Sequence, residues 1–597
     1  MAERQETASA ENLIRIGSGA AIPAAHLVGV QADGVELVML RHGDAISVFQ
    51  GRCPHQGTLL ADGTVDRGVL TCPGHGWRFD CGTGAAVDAQ SACLRRFRSV
   101  VSGDDVLVDR QDILAWKRDM DTSAVAAPAR PGRPLSDLPG PHGVPVLGNF
   151  LQIHKTRIHD DLEQWAASFG PIYRLNFAGR DVVVIADPGC IDRILHDRPD
   201  RFRRASAIET ISDEIGTVGA FSAEGETWRR FRRPVVQALD AHHLRDFFPT
   251  LVNVTRRLRR RWDVAASEGR AVDVQHDLMQ YAVDITTSLA FGQDMNTLEG
   301  KGGEFQRHLE CILPMISRRL NAPFPYWHYV RLPSDRAFDR SVAAVRAAIG
   351  GMIDATRRQL EECPGLATHP RNFLEAMVAA QAAGDTPLTD DELFANVFTL
   401  LLAGEDTTAN TVAWVLYFMC LHADVQQSMQ HEVAEVLGVE DVLTDPADAA
   451  RLRYLDAVIH ESLRLKPVAP LFYMEPNQDA DIGGYHVPKG TLVILVTRPN
   501  VLRDSAFAQA SEFRPERWLD TSAASHLRGG FVPFGSGPRL CPGRSLALLE
   551  AKAALSMVCQ QFHVRQAPST GPVGEAFAFT MLPTGLRVVL EHRQTAR

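Results

Sequence analysis

The spacing of apolar residues changes along the chain and indicates two kinds of structure. Between residues 12 and 112, apolar and polar residues alternate over short stretches such as 35–40 and 45–49, and glycines separate these stretches. A period of two is typical of strands with one buried face, so this part is predicted to be β-rich. Farther along, the apolar residues recur at helical spacing. Helices are predicted most clearly at 389–422, 424–437, 452–466 and 542–561, with a turn-rich stretch at 467–540 before the last of them.

A change in composition separates the two parts. The stretch 122–148 is rich in proline and has few large apolar residues before Leu135, which indicates a linker. We therefore predict a multidomain protein: a small all-β domain at 12–112, a linker at 113–137, and a large, mainly α domain with small β-sheets at 138–597.

Overall composition sets limits on function. The 597 residues are 45% apolar and 22% charged, with a formal net charge of −10. These values fit a globular protein and argue against a nucleic-acid partner. The chain lacks a run of about 18 apolar residues, and its first residues are too polar for a signal peptide. We therefore expect a cytoplasmic protein without a membrane anchor. Ten cysteines are too few for a disulfide framework.

Two mixed cysteine–histidine pairs stand in the β-rich part. Cys53 and His55 share one segment with glycine and proline, and Cys72 and His75 share another. Such a set could bind structural zinc, but zinc fingers usually place two ligands of one kind close together. Mixed pairs suit a binuclear cluster in which one iron binds both cysteines and the other both histidines. With the Phe-Asp-Cys-Gly-Thr-Gly run at 79–84, the pattern resembles the Rieske [2Fe-2S] domain.

The Rieske resemblance covers the whole β-rich part. It implies that the two cysteines and two histidines bind a Rieske-type 2Fe-2S cluster. Some Rieske domains carry a further disulfide between the ligand loops, but the corresponding positions here are Thr58 and Gly74. Cys81 and Cys93 are interpreted as buried or spare thiols that do not bind the cluster.

A glycine-rich loop at 534–543 contains Cys541 directly before a predicted helix. The helix dipole and backbone N–H groups lower the pKa of a thiol in such a position and stabilise the thiolate. Glycines allow the backbone to approach a flat ligand closely. Arg539 can pair with an anionic group of that ligand.

Three further motifs agree with the cysteine loop. The first is Gly-Glu-Asp-Thr-Thr at 404–408 within a long apolar helix, where threonine can hydrogen-bond to the carbonyl four residues earlier and bend the helix. The second is Glu461 with Arg464 on one helix face. The third is Trp-Arg-Arg-Phe-Arg at 228–232. Together with the cysteine loop, these motifs resemble the cytochrome P-450 haem-thiolate family over residues 138–597.

The P-450 resemblance implies haem b and assigns roles to particular residues. Cys541 is the axial ligand of the haem iron, and Thr407 and Asp406 are catalytic, the threonine at the oxygen-binding groove and the aspartate as the proton gate. Glu461, Arg464 and Arg517 form a structural network. The residues expected to contact the haem are Trp228, Arg232, Arg539, Phe534 and Gly543. Many members have a propionate-binding arginine after the Glu-x-x-Arg helix, whereas this chain has Phe-Tyr-Met-Glu at 472–475.

The two resemblances together imply a natural fusion of a Rieske ferredoxin with a P-450 monooxygenase. Its partners are O2, a lipophilic substrate and a reductase. The substrate expectation rests on Leu402, Ala403 and the segment 468–472, which are expected to face the pocket. The sequence has no flavin or nicotinamide fingerprint, because Gly17-Ser18-Gly19 lacks the third glycine and the βαβ context. We therefore expect a separate flavoprotein reductase that uses NAD(P)H.

Two other functions compete with this interpretation. A Rieske-type ring-hydroxylating oxygenase would use mononuclear iron, for which His154 and His159 are candidate ligands, but Leu151 stands where such a site would need an acid. The two histidines are therefore expected on an exposed helix edge. A redox or gas sensor without turnover is the other alternative, and Asp406 and Thr407 argue against it.

Overall fold

The computed structural model describes residues 12–19, 22, 27–43, 45–54, 57–72, 77–87, 93–124, 132–300, 304–322, 324–368, 370–382, 388–519, 530–568 and 571–593. These residues form two compact units. The first contains the described residues up to 133 with the short segments 192–199 and 535–541, and the second contains the others.

Short antiparallel strands make up most of the first unit. They form three sheets with the orders β1-β10-β9, β2-β3-β4-β8 and β5-β6-β7. The elements are β1 (Leu13–Ser18), β2 (Leu27–Ala32), β3 (Val35–His42), β4 (Ala45–Gln50), β5 (Thr64–Asp66), β6 (Val69–Thr71), β7 (Arg78–Asp80), β8 (Arg96–Phe97), β9 (Ser99–Ser102), β10 (Asp105–Asp109) and α1 (Arg110–Ala124).

Strand β4 is buried on both faces and contributes to two apolar cores. Successive side chains of a strand point to opposite faces, and accordingly Val48 belongs to one cluster with Phe97 and Val106, while Phe49 belongs to another with Phe79. The sequence-based prediction of strands at 35–40 and 45–49 is confirmed by β3 and β4.

Helix α1 occupies the first half of the predicted linker. Its Ile113 is completely buried, and Trp116 packs edge-on against Phe97 with ring centroids 6.5 Å apart. Two apolar residues at helical spacing therefore attach this segment to the first core. Residues 125–131 of the predicted linker lie outside the described residues.

Helices predominate in the rest of the chain. They are α2 (Ile158–Phe169), α3 (Pro188–His196), α4 (Ser206–Glu214), α5 (Gly225–Ala238), α6 (Ala241–Ser267), α7 (Val274–Phe291), α8 (Glu304–Glu310), α9 (Ile312–Leu320), α10 (Pro333–Glu362), α11 (Gly365–Thr368), α12 (Phe373–Ala382), α13 (Asp390–Leu421), α14 (Ala423–Leu437), α15 (Pro446–Ala449), α16 (Arg453–Leu465), α17 (Arg498–Val501) and α18 (Arg544–Gln561). Among the described residues, no helix combines the length and the apolar character needed to cross a membrane.

Small sheets accompany these helices. The largest has the order β11-β12-β18-β15-β13, in which β12 and β18 pair in parallel and the other pairs are antiparallel. The strands are β11 (Ile172–Phe177), β12 (Arg180–Ile185), β13 (Phe202–Arg204), β14 (Val272–Asp273), β15 (Leu471–Pro476), β16 (Ala480–Ile482), β17 (Tyr485–Val487), β18 (Leu492–Val496), β19 (Phe562–Gln566), β20 (Gly574–Phe577), β21 (Met581–Thr584) and β22 (Arg587–His592). The predicted turn-rich stretch 467–540 contains four of these strands.

Helix α13 is the longest helix of the described chain, and its start and its packing follow from its sequence. Thr389 and Glu392 form a capping box, in which each side chain accepts a hydrogen bond from the backbone N–H of the other. Where α13 packs against α7, a Cβ on Gly404 would lie 2.6 Å from the Thr286 hydroxyl, which is itself bonded to the Ala282 carbonyl. Glycine is therefore required at this position.

The predicted Glu461–Arg464–Arg517 network is present and completely buried at its centre. Arg464 binds Glu461 through Nη2 at 2.7 Å and Nε at 2.9 Å, and Arg517 Nε donates to the same carboxylate at 3.1 Å. Trp518 Nε1 donates to its other oxygen at 2.8 Å. Helix α16 and the segment that leads towards the glycine-rich loop are thus joined by one carboxylate.

We expect Glu461→Gln to lower the free energy of unfolding of the second unit by about 3–5 kcal/mol, because it leaves the buried Arg464 charge uncompensated. Denaturant unfolding followed by tryptophan fluorescence measures this change. Asp448→Asn is the control, since Asp448 pairs with the exposed Arg451 at 2.7 Å and such surface pairs contribute about 0–1 kcal/mol. Equal effects of the two variants would contradict the structural role.

Candidate functional site

Two loops of the first unit present their cysteines in the same way. Cys53 N–H donates to the Thr58 carbonyl at 2.8 Å, and Cys72 N–H donates to the Trp77 carbonyl at 2.8 Å. Both side chains are buried and belong to the apolar cluster that contains Phe79. The sequence-predicted ligands His55 and His75 lie outside the described residues. Two buried cysteines in one apolar cluster suit the cysteine half of a binuclear cluster.

The other two cysteines of this unit differ from the predicted ligands. Cys81 is buried, and burial raises the pKa of its thiol to about 11, so the thiol stays protonated at neutral pH. Cys93 is exposed. The buried position of Cys81 and the exposed position of Cys93 fit the interpretation of these residues as a buried and a spare thiol.

The loop that carries Cys541 depends on its glycines. Gly535 and Gly537 have φ angles of 73° and 68°, in the left-handed region that other residues rarely adopt. A short 3₁₀ turn at Gly537–Arg539 follows, and Leu540 N–H closes it on the Gly537 carbonyl at 3.1 Å. Cys541 is half-buried and α18 begins three residues later, with Gly543 as its N-cap residue. The predicted placement of a cysteine directly before a helix is confirmed.

Helix α5 divides the basic cluster 228–232 between two faces. Trp228 and Arg232 are one turn apart and both are buried. Arg229 instead pairs with Asp200 at 2.6 Å, and Arg230 pairs with Glu392. A solvated helix face, the simplest interpretation of such a cluster, therefore does not describe Trp228 and Arg232. A buried indole N–H and a buried guanidinium are suitable donors for a carboxylate group of a ligand.

Helix α13 carries the predicted catalytic pair. The Thr407 hydroxyl donates to the Ala403 carbonyl at 2.8 Å, as the sequence predicts, and Thr411 bonds back to the Thr407 carbonyl at 2.8 Å. Burial raises the pKa of Asp406 to about 6. A carboxyl with that pKa exchanges protons readily near neutral pH, as proton transfer requires.

Sequence reasoning missed a buried carboxyl near this pair that belongs to another helix. Glu550 on α18 is almost completely buried, and burial raises its pKa to about 8 although a hydrogen bond with Thr408 works in the opposite direction. Its Oε2 has no hydrogen-bond partner among the described residues. The carboxyl is therefore neutral at pH 7. An acidic residue within the apolar face of a predicted helix was the available signal.

The expectation of an exposed edge is correct for His154 and wrong for His159. His154 is exposed and pairs with Asp161 at 3.0 Å. His159 is completely buried. Its Nε2 lies 3.1 Å from Glu575 Oε2 and 3.3 Å from Asp160 Oδ1. Glu575 lies more than 400 residues after His159 in the chain, so local sequence could not indicate this contact.

His159, Asp160 and Glu575 form a candidate metal site within the described chain. However, the positively charged side chains of Arg498 and Lys466 already bind the Glu575 carboxylate. Arg498 Nη1 donates to Glu575 Oε2 at 2.7 Å, and Lys466 pairs with the other oxygen. Burial opposes ionisation of Glu575, yet the hydrogen bond from His159 and the charge of Arg498 hold its pKa below the usual range. The group is therefore an ion-pair cluster, and His154 and His159 give no support to mononuclear iron.

Comparison with known families identifies both parts of the chain. The family model of cytochrome P450, written here as P-450, matches residues 138–589. The chain belongs to the cytochrome P-450 family. The model of the Rieske [2Fe-2S] domain matches residues 13–98. This P-450 therefore carries a Rieske domain ahead of its P-450 domain, and the predicted order of a small β domain and a mainly α domain is confirmed.

Relatives of this P-450 cover most of its length. The human mitochondrial 25-hydroxyvitamin D-1 alpha hydroxylase is 29% identical over 76% of this chain and 91% of its own length. Cytochrome P-450 3A6 of Oryctolagus cuniculus is 25% identical over 72% of this chain and 87% of its own. The self-sufficient cytochrome P-450 monooxygenase CYP505E5 of Aspergillus kawachii is 26% identical over 77% of this chain and 43% of its own.

The family assignment identifies a monooxygenase with a haem and a 2Fe-2S cluster. The side chains described above have the donor chemistry that both groups require. The haem requires one cysteine thiolate and donors for its carboxylates, which Cys541, Trp228 and Arg232 can supply, and the cluster requires two cysteines in a shared apolar site, as Cys53 and Cys72 are.

Proposed function

We propose that this P-450 inserts one oxygen atom of O2 into a lipophilic substrate, with electrons that an external NAD(P)H-dependent flavoprotein reductase delivers by way of the fused Rieske domain. The observation that carries the proposal is the presence of both family matches in one chain. When bound, the haem supplies oxygen activation and the cluster supplies one-electron transfer. A domain tethered within the same chain reaches an effective concentration in the roughly millimolar range, which favours supply from within the chain.

The haem-holding residues are assigned by their motif positions and their surroundings. Cys541 provides the thiolate, and the start of α18 stabilises its negative charge. Trp228, Arg232 and Arg539 would bind the propionates. Phe534 and Gly543, the first and last residues of the cysteine loop, would contact the haem. For the cluster, the ligands are Cys53, His55, Cys72 and His75.

Thr407 and Asp406 deliver protons at the oxygen-binding groove. The hydroxyl proton of Thr407 is engaged by the Ala403 carbonyl, so its oxygen lone pairs are available to accept a hydrogen bond from a proton-carrying group in the groove. Asp406, the preceding residue, can return a proton to that group, because its pKa of about 6 allows both protonation states near neutral pH.

A lipophilic substrate fits the residues expected at the pocket. Leu402 and Ala403 precede the catalytic pair on α13, and the segment 468–472 is Val-Ala-Pro-Leu-Phe. Apolar walls of this kind bind apolar surface and supply few polar contacts. One relative is by its name a 25-hydroxyvitamin D hydroxylase, which supports a substrate of this class.

We expect the wild-type protein, given a surrogate ferredoxin reductase, NADPH and ¹⁸O2, to produce a hydroxylated lipophile that carries one ¹⁸O atom. In Thr407→Ala the haem content stays unchanged, because this hydroxyl bonds only within its own helix turn, but reducing equivalents leave as hydrogen peroxide. We expect about a tenfold or larger rise in peroxide per product, within the range for a proton-transfer residue.

Mass spectrometry of products and a peroxide assay measure both quantities. NADPH oxidation without labelled product from any lipophile offered would favour the sensor alternative. Unchanged coupling in Thr407→Ala would show that this residue lies outside the oxygen-binding groove.

A further inference from the structure

The hairpin of β20 and β21 lies along the face of α13 that continues from Thr407. Asn410 Nδ2 donates to the Thr580 hydroxyl at 3.1 Å, and Trp414 Nε1 donates to the Met581 carbonyl at 3.3 Å. Thr407, Asn410 and Trp414 are spaced i, i+3 and i+7, so they share one face of the helix. The hairpin therefore contacts α13 directly behind the catalytic pair.

The contact between Asn410 and Thr580 is buried and has a fixed orientation. Asn410 is 2% exposed and Thr580 is 3% exposed. The other amide atom of Asn410, Oδ1, accepts a hydrogen bond from Gln275 Nε2 of α7 at 3.2 Å. With partners on both sides, the amide of Asn410 cannot follow a displaced Thr580 without losing a bond in a region that water does not reach.

The turn of the hairpin reaches the parts of the chain proposed to hold the substrate. Met581 N–H donates to the carbonyl of Val468 at 2.9 Å, and Val468 begins the pocket segment 468–472. Phe579 packs against Phe221 with ring centroids 6.0 Å apart. Phe579 is half-buried and Ala578 is exposed, so this turn has side-chain surface with which a bound molecule can make contact.

Charged and backbone contacts fix strand β20 of the hairpin. Glu575 on β20 is bound by Arg498, Lys466 and His159 in the ion-pair cluster. Phe577 N–H donates to the Thr156 carbonyl at 2.7 Å. The turn itself is held by a hydrogen bond from the Ser317 hydroxyl to the Ala578 carbonyl. A molecule that contacts Ala578 or Phe579 therefore acts on the turn while β20 stays fixed, and Thr580, the next residue, transmits the displacement to Asn410.

We propose that Asn410 is a positioning residue of the monooxygenase, which through its hydrogen bond to Thr580 couples occupation of the substrate site to the arrangement of Asp406 and Thr407. Asn410 lies one turn after both catalytic residues. Contact of substrate with the hairpin turn thus adjusts the segment that delivers protons, and turnover without substrate is suppressed. This inference rests on the proposed function and adds the residue that links substrate binding to proton delivery.

The test uses variants that remove the hydrogen bond while keeping side-chain shape. Thr580→Val removes the hydroxyl, and Asn410→Leu removes the amide together with the acceptor for Gln275. The double variant replaces both partners of the Asn410–Thr580 bond by apolar groups, so that neither of these two is left unpaired. The control is Thr287→Val, a completely buried threonine of α7 whose hydroxyl bonds back to the Val283 carbonyl at 2.8 Å. It measures the effect of losing a buried hydroxyl elsewhere.

The first readout is hydrogen–deuterium exchange of the haem-loaded full chain with and without 4-phenylimidazole. In the wild type and in Thr287→Val we expect the ligand to slow exchange in both the hairpin peptide 574–584 and the α13 peptide 403–414. In Thr580→Val and in the double variant we expect slowing in the hairpin alone, with a dissociation constant, from spectral titration, within about twofold of the wild type because the ligand's own contacts remain.

The second readout is peroxide formed per labelled product, which we expect to rise about fivefold in Thr580→Val, within the range for altered coupling between sites. The double variant should be no worse than Asn410→Leu, because both lose the Asn410–Thr580 and the Gln275–Asn410 contacts. The inference would be overturned if 4-phenylimidazole still slowed exchange in both peptides of Thr580→Val. It would also be overturned if Thr580→Val formed no more peroxide per labelled product than Thr287→Val. A wild type that makes no labelled product would instead refute the proposed function, and the exchange experiment would remain interpretable because it needs no turnover.

Discussion

Cys541→Ser is expected to abolish the far-red-shifted Soret band of the reduced carbon monoxide complex, together with turnover driven by reductase or by peroxide. The band reports a thiolate ligand, and a serine hydroxyl does not ionise at neutral pH to replace it. The substitution changes one atom, and the left-handed Gly535 and Gly537 that shape the loop are unaltered. The loss would therefore reflect ligation and not a collapsed loop.

Absorption spectra of the reduced protein with carbon monoxide provide the measurement, and haem content from a pyridine haemochrome assay separates lost ligand from lost haem. The matched control is Cys363→Ser, because Cys363 is exposed and lies outside the motif. The control should keep the band in full. A wild-type complex with the spectrum of imidazole ligation, or a Cys541→Ser protein that retains the shifted band, would contradict the assignment of Cys541 as the axial ligand.

Local sequence signals were sufficient wherever the structure is determined by near neighbours. The helix predicted at 389–422 is observed as Asp390–Leu421 because Thr389 and Glu392 cap its start and an apolar run fixes its face. The helix predicted at 452–466 is observed as Arg453–Leu465. Cys541 lies before its helix as expected because glycines and a proline leave that loop few alternatives.

Contacts between distant parts of the chain limited the prediction elsewhere. His159 was assigned to an exposed edge because its partner Glu575 is remote in sequence, and burial followed from that pairing. Helix α1 was assigned to a linker because its attachment depends on Trp116 packing against Phe97, which the local pattern does not contain. Composition describes a segment, whereas burial depends on the surface that the rest of the chain presents to it.

The same limit applies to the buried polar residues near the catalytic pair. Glu550 and Asn410 are visible in the sequence only as polar residues on otherwise apolar helix faces. Their partners, Thr408 for the carboxyl and Thr580 for the amide, are set by how α18 and the β20–β21 hairpin pack on α13. A sequence can therefore mark such positions as unusual, but their chemistry follows from the packing.

His75→Ala is expected to collapse reductase-driven turnover while leaving the haem and its oxygen chemistry intact. The substitution removes one of the two imidazoles proposed to bind one iron of the cluster, so the cluster should be lost or severely perturbed. Haem content should not change, because the residues proposed to hold the haem lie on α5 and in the loop before α18. We expect reductase-driven product formation to fall at least about a hundredfold, since electrons can then reach the haem only by untethered encounters.

The experiment compares the wild type and His75→Ala, each driven by reductase with NADPH and by hydrogen peroxide. Hydrogen peroxide is oxygen that already carries two extra electrons, so this route needs no electrons from the cluster. It should therefore give equal rates in both proteins. A separate ferredoxin should restore part of the reductase-driven rate, but not all of it, because the roughly millimolar effective concentration of the tether is absent. His42→Ala, which removes an exposed histidine of the same unit outside the ligand motifs, should behave as the wild type. Full reductase-driven activity in His75→Ala would mean that electrons bypass the Rieske domain, and the proposed electron path would have to be abandoned.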